Sequence, residues 1–147
     1  YDLYCGVGSL GIYMADGCKR VVGIELIAEA IVDAKKNAEL NELSNTDFVV
    51  GQVEMLLDPA FVAKHGKPDV VITDPPRAGM HPDVIKHLLA AAPQRIVYVS
   101  CNPATQARDL KMLSDSYTVI TAIPVDMFPH THHIECVALL EFRKLVV

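Results

Sequence analysis

Short apolar runs alternate with segments of helical spacing along this chain, and that alternation confines it to strand-helix-strand units wound around a parallel sheet. Runs at 1–4, 20–25, 47–50, 69–73 and 96–99 predict strands, with the fifth carrying Cys101 at its end. The clearest helix is 28–40, where Ala30, Ile31, Ala34 and Ala38 recur at helical spacing and Glu29, Asp33, Lys35, Lys36 and Glu39 supply the wet face. A helix is expected from Val53 to about Ala63, another opened by Pro82, and another over 103–113. The final runs, 117–125 and 135–142, are joined by a loop too short for a crossover helix, so they should pair antiparallel. A length of 147 residues is a single domain with an ample core.

Apolar residues at 51% and charged residues at 21% describe a soluble globular protein rather than a disordered or fibrous one. No apolar stretch reaches the roughly 18 residues of a membrane span, and the start has no secretory signal pattern, so a cytoplasmic protein is expected. Cys5, Cys18, Cys101 and Cys136 form no Cys-x-x-Cys pair, which argues for reduced thiols and against a zinc knuckle or redox dithiol. The net charge of −5 argues against a free-standing nucleic-acid binder. Tyr1-Asp2-Leu3-Tyr4 already reads as the end of a strand, with no initiator methionine. The expectation is a domain, 1–147, of a longer protein whose other part holds any basic surface.

Gly6-x-Gly8-x-x-Gly11 after the first strand, with Glu25 at the end of the second, fits a nucleotide site. The glycines permit close backbone approach, and the carboxylate accepts ribose hydroxyls. On its own the turn suits an NAD-linked oxidoreductase and an S-adenosylmethionine-dependent methyltransferase equally, or merely a tight turn. Asp74-Pro75-Pro76-Arg77, at the fourth strand end, tilts the choice: a carboxylate on a rigid turn is suited to holding a planar base against a methyl donor. Cys101 sits at the next strand end, where a parallel sheet presents its ligand crevice. Methylating carbon 5 of uracil calls for such a thiol, because that carbon becomes nucleophilic only after a thiolate adds to carbon 6. It also calls for a base to remove the carbon 5 proton, and Glu135 stands at the entry to the last strand. His130, His132 and His133 in the preceding loop read either as metal ligands or as loop residues that hydrogen-bond their neighbours and orient Glu135.

Taken in order, Tyr4-Cys5-Gly6-x-Gly8, Asp74-Pro75-Pro76-Arg77-Ala78-Gly79, Ser100-Cys101-Asn102-Pro103-Ala104-Thr105 and Phe128-Pro129-His130-Thr131-x-His133-x-Glu135 resemble the catalytic domain of the RNA 5-methyluridine methyltransferases over the whole chain. The run from Ser100 to Asp109 is most similar to the ribosomal-RNA branch rather than the transfer-RNA one. The resemblance implies an α/β, Rossmann-like methyltransferase fold with a mostly parallel seven-stranded sheet and an antiparallel terminal strand. It implies Cys101 as nucleophile and Glu135 as base, with S-adenosyl-L-methionine held by Tyr4, Gly6, Gly8, Ser9, Glu25, Gln52 and Asp74. Ser9 and Gln52 depart from the residues that the family more often has there. RNA is the implied partner, engaged through an N-terminal RNA-binding part outside this sequence, with no membrane and no metal in this stretch; a fragment inactive in isolation is the alternative.

Overall fold

The computed structural model describes residues 1–143, and the chain forms two units that meet in sequence at Gly66 and Lys67. In the first unit, β1 (Asp2–Leu3), β2 (Val21–Glu25) and β3 (Thr46–Val50) are parallel, with β2 in the middle. Val21, Val22 and Ile24 of β2 are all buried, which is why this strand reads as an unbroken apolar run. α1 (Ser9–Met14) and a short 3₁₀ turn (Ala15–Gly17) lead from β1 to β2, and α2 (Ala28–Leu40) leads from β2 to β3. α2 buries Ile31, Ala34 and Ala38, spaced three and four residues apart, against Cys5 and Phe48. Gly23 is dictated by that packing, since a Cβ there would come within 2.5 Å of the Phe48 ring.

The single helix expected from Val53 to about Ala63 is two helices, α3 (Val53–Leu56) and α4 (Pro59–His65). Asp58 divides them: its carboxylate accepts the Phe61 N–H at 2.7 Å as an N-cap, and Pro59 follows as the first helical residue.

In the second unit, β4 (Val70–Thr73) is parallel to β5 (Arg95–Ser100), and α5 (Pro82–Ala91) connects them. α6 (Pro103–Leu113) follows, then β6 (Tyr117–Val125) and β7 (Glu135–Phe142). β6 and β7 pair antiparallel as expected, but β7 also inserts beside β5, antiparallel to it, so β6 lies outermost in this unit. Val84, Ile85 and Leu88 of α5 are fully buried, as are Ile96, Tyr98, Leu113 and Leu140. Burying each aliphatic side chain contributes about 1.5–3 kcal/mol. β6 is exposed from Thr118 to Pro124, and Pro124 together with a register irregularity between Val119 and Thr121 blunts its outer edge. Parallel strands joined by helices, closed by the antiparallel terminal strand β7, make up the expected α/β, Rossmann-like class.

Candidate active site

β4 and β5 run in register to Thr73 beside Tyr98, so both deliver their following loops to the same end of the second unit. That carboxyl end is where parallel α/β sheets bind ligands. β4 hands over to Asp74 and β5 to Cys101, while β7, running the other way, starts there with Glu135. The β5–β7 pairing extends from Arg95 against Glu141 to Ser100 against Cys136. Continued by one residue, the same register sets Cys101 against Glu135.

Cys101 and Glu135 are both half-buried. Asp74 is solvent-accessible, yet partial desolvation and, after it, the Glu135 charge hold its carboxyl above the usual range. Arg77 stands at the rim with its Nη1 3.3 Å from His133 Nδ1. The rings of His132 and His133 have centroids 4.4 Å from one another. Among the described residues no group of three His, Cys, Asp or Glu side chains is arranged to hold a metal ion.

The loop 74–80 is fastened to the start of α6. Asn102 Nδ2 and Thr105 Oγ1 each donate to the Arg77 carbonyl at 3.1 Å, and Arg108 Nη2 donates to the Ala78 carbonyl at 2.8 Å. Beneath them the Asp109 carboxylate, fully buried, accepts from Tyr98 Oη at 2.6 Å, the Met80 N–H at 2.8 Å and the Arg108 guanidinium at 2.8 and 2.9 Å. Sequence reasoning did not reach this network. A signal existed, because the buried face of α6 is Gln106, Asp109 and Leu113, and polar residues at core positions demand buried partners.

The first unit carries the other predicted residues. Tyr4, Gly6 and Gly8 all adopt positive φ, at 62°, 52° and 82°. The two glycines serve different ends: a Cβ on Gly8 would lie 2.9 Å from the Phe48 ring, whereas one on Gly6 would meet nothing within 4 Å. Gly6 therefore leaves an open approach to the backbone. Beside it, Glu25 accepts the Gly6 N–H at 3.1 Å on one carboxylate oxygen and the Ile27 N–H at 2.9 Å on the other. The carboxylate is thus oriented by backbone, and each oxygen keeps a lone pair for a hydroxyl. Open glycine and oriented acid suit a nucleoside. Ser9, the first residue of α1, and Gln52, ahead of α3, are both exposed. Cys5 belongs to the core instead; burial, then the Asp2 and Glu25 charges, push its thiol up to about 12.

Residues 1–143 match the model of the tRNA (uracil-5-)-methyltransferase family. The chain belongs to this family. An uncharacterized RNA methyltransferase of Bacteroides thetaiotaomicron is 57% identical over 97% of the chain, and one of Porphyromonas gingivalis is 56% identical over 95%. The chain spans 32% and 30% of those two proteins, about a third of their length. The crystal structure of the Pyrococcus abyssi tRNA (uracil-54, C5)-methyltransferase in complex with S-adenosyl-L-homocysteine is 44% identical, with a TM-score of 0.82 over 95% of this chain and 33% of that one. Membership of the uracil-5-methyltransferase family removes the oxidoreductase alternative that the glycine turn left open. The lean toward a ribosomal-RNA branch gains no support, since the family and its solved relative are both described by transfer RNA.

Proposed function

We propose that this chain is the catalytic part of a cytoplasmic RNA methyltransferase that transfers a methyl group from S-adenosyl-L-methionine to carbon 5 of a uridine. Tyr4, Gly6, Gly8, Ser9, Glu25 and Gln52 hold the donor, the open backbone at Gly6 admitting it closely and Glu25 accepting its ribose hydroxyls. When bound, S-adenosylmethionine supplies the electrophilic methyl. Cys101 adds as thiolate to carbon 6, and the electron pair of the 5,6 double bond moves to carbon 5, which takes the methyl. Glu135 then accepts the carbon 5 proton; the electrons of that bond restore the double bond, and the Cys101 sulfur leaves as thiolate. Asp74, whose carboxyl feels the Glu135 charge, borders the base.

The observation that carries this reading is the β5–β7 register, whose last pair, Ser100 with Cys136, adjoins Cys101 and Glu135. A nucleophile and a base from opposed strands act on adjacent carbons of one ring, as the reaction requires. All four cysteines are free, in keeping with a reducing compartment, and no helix among the described residues is long and apolar enough to cross a membrane. RNA is engaged through the longer protein.

The test is RNA carrying 5-fluorouridine at the target site, incubated with the full-length protein and S-adenosylmethionine. Fluorine cannot leave as a proton, so a covalent complex should persist through denaturing electrophoresis. Absence of adduct, or an adduct that survives Cys101→Ala, would overturn the assignment.

A further inference from the structure

We propose that Asp109, with Tyr98 and Arg108, is a positioning cluster that holds the loop 74–80 against the Cys101 turn, so that Asp74 and the thiol keep a fixed separation during turnover. The inference rests on Cys101 being the nucleophile and concerns residues to which no role has been given.

Three attachments converge on one loop. Its far end is fixed by the Met80 N–H donating to Asp109 Oδ2 at 2.8 Å, and its middle by Arg108 Nη2 on the Ala78 carbonyl at 2.8 Å. Its nearer part is fixed where Asn102 and Thr105, just after Cys101, both donate to the Arg77 carbonyl. Gly79, at φ 81°, has no room for a side chain: a Cβ would lie 2.6 Å from both Arg108 Nη2 and Asp109 Oδ2. The loop therefore lies directly on the cluster. Tyr98 joins the cluster to β5, since its hydroxyl donates to Asp109 at 2.6 Å three residues ahead of Cys101. One fully buried carboxylate thus ties together the strand that carries the thiol, the helix that follows it and the loop that carries Asp74. A carboxylate used only for stability would be an expensive choice there, because a buried charge must find several donors to offset its desolvation. Of its donors, the Met80 N–H and the Arg108 guanidinium also set the loop's position.

Tyr98→Phe removes one hydroxyl and keeps the ring, and Arg108→Lys keeps the charge at a half-exposed site but loses the planar fork that serves Asp109 and Ala78 together. Both are made in the full-length protein. Each is expected to lower kcat and the rate of adduct formation with 5-fluorouridine RNA about tenfold, with the RNA KM within twofold of wild type. Hydrogen exchange at the Met80 amide should quicken by a similar factor. Wild-type rates in both variants, or a kcat loss matched by an equal rise in the unfolded fraction, would overturn the positioning role. Failure of the wild-type protein itself to form adduct would instead overturn the assignment of Cys101, and the inference with it. Unchanged Met80 exchange in both variants would overturn the clamp whatever the RNA result.

Discussion

In the proposed cycle Glu135 and Cys101 act at different moments, so their removal should leave different traces. Without the base, addition and methyl transfer still proceed, but the carbon 5 proton stays and the thiolate cannot leave. Glu135→Gln is therefore expected to slow turnover by about 10²–10⁴, the usual range for a lost general base, while accumulating adduct with ordinary uridine on denaturing gels. Free release of product by that variant would remove Glu135 from the role. Asp74 makes a prediction about pH. Its raised carboxyl value means that the folded protein holds this proton more tightly than the unfolded chain does. Its contribution to stability thus falls as pH climbs from the ordinary carboxyl value of about 3.9 through the raised one, and stays low above it. Asp74→Asn should melt at a higher temperature than wild type at neutral pH, and the gain should shrink toward about pH 4. A variant less stable than wild type at neutral pH would contradict the shift.

Most elements were legible because periodicity is a local property. Helices 28–40 and 103–113 and strands 117–125 and 135–142 have the bounds their apolar spacing predicts. The break between α3 and α4 was also written locally, in Asp58-Pro59, but the apolar run across it read as one helix. What spacing alone does not encode is which strand lies beside which. That β7 inserts between β5 and β6, bringing its first residues beside the end of β5, comes from tertiary pairing; Glu135 drew notice only as an acid at a strand entry and through the family resemblance. Asp109 stayed hidden for a related reason, since its donors come from three separate stretches. The glycine turn was legible as a motif, though not in how its glycines divide the labour. Gly8→Ala forces a Cβ into the Phe48 ring at positive φ and should cost on the order of 3 kcal/mol, read from urea unfolding. Gly6→Ala has open space and should cost only about 1–2 kcal/mol for its backbone. Calorimetric titration with S-adenosylhomocysteine should nonetheless show at least a tenfold loss of affinity for Gly6→Ala, because on the proposed reading the new methyl occupies the donor's approach. Unchanged affinity would place the donor elsewhere.

At the scale of the whole protein the question is what holds the RNA. This stretch carries a net charge of −5, and five of its 13 lysines and arginines are engaged with acids among the described residues. Arg20 sits 2.9 Å from Asp47, Lys36 3.3 Å from Asp33, Lys86 2.6 Å from Asp83, Arg95 2.9 Å from Glu141 and Arg108 2.8 Å from Asp109. Phosphate binding depends on cations that can displace condensed counterions, and each contact adds about 0.9 to the slope of log affinity against log salt. Those five cations, each answering to a neighbouring acid, contribute little to that slope. The chain spans about a third of its curated relatives, and on the proposed reading the electrostatic grip on RNA lies outside residues 1–147. The exposed lysines here then matter little for affinity. Replacing Lys35, Lys36, Lys86 and Lys111 together by glutamine in the full-length protein should shift its RNA salt slope by less than the roughly 0.9 of a single phosphate contact. Filter binding between low and moderate salt measures this directly. A drop of two contacts or more would return the RNA-binding surface to this catalytic stretch despite its acidity.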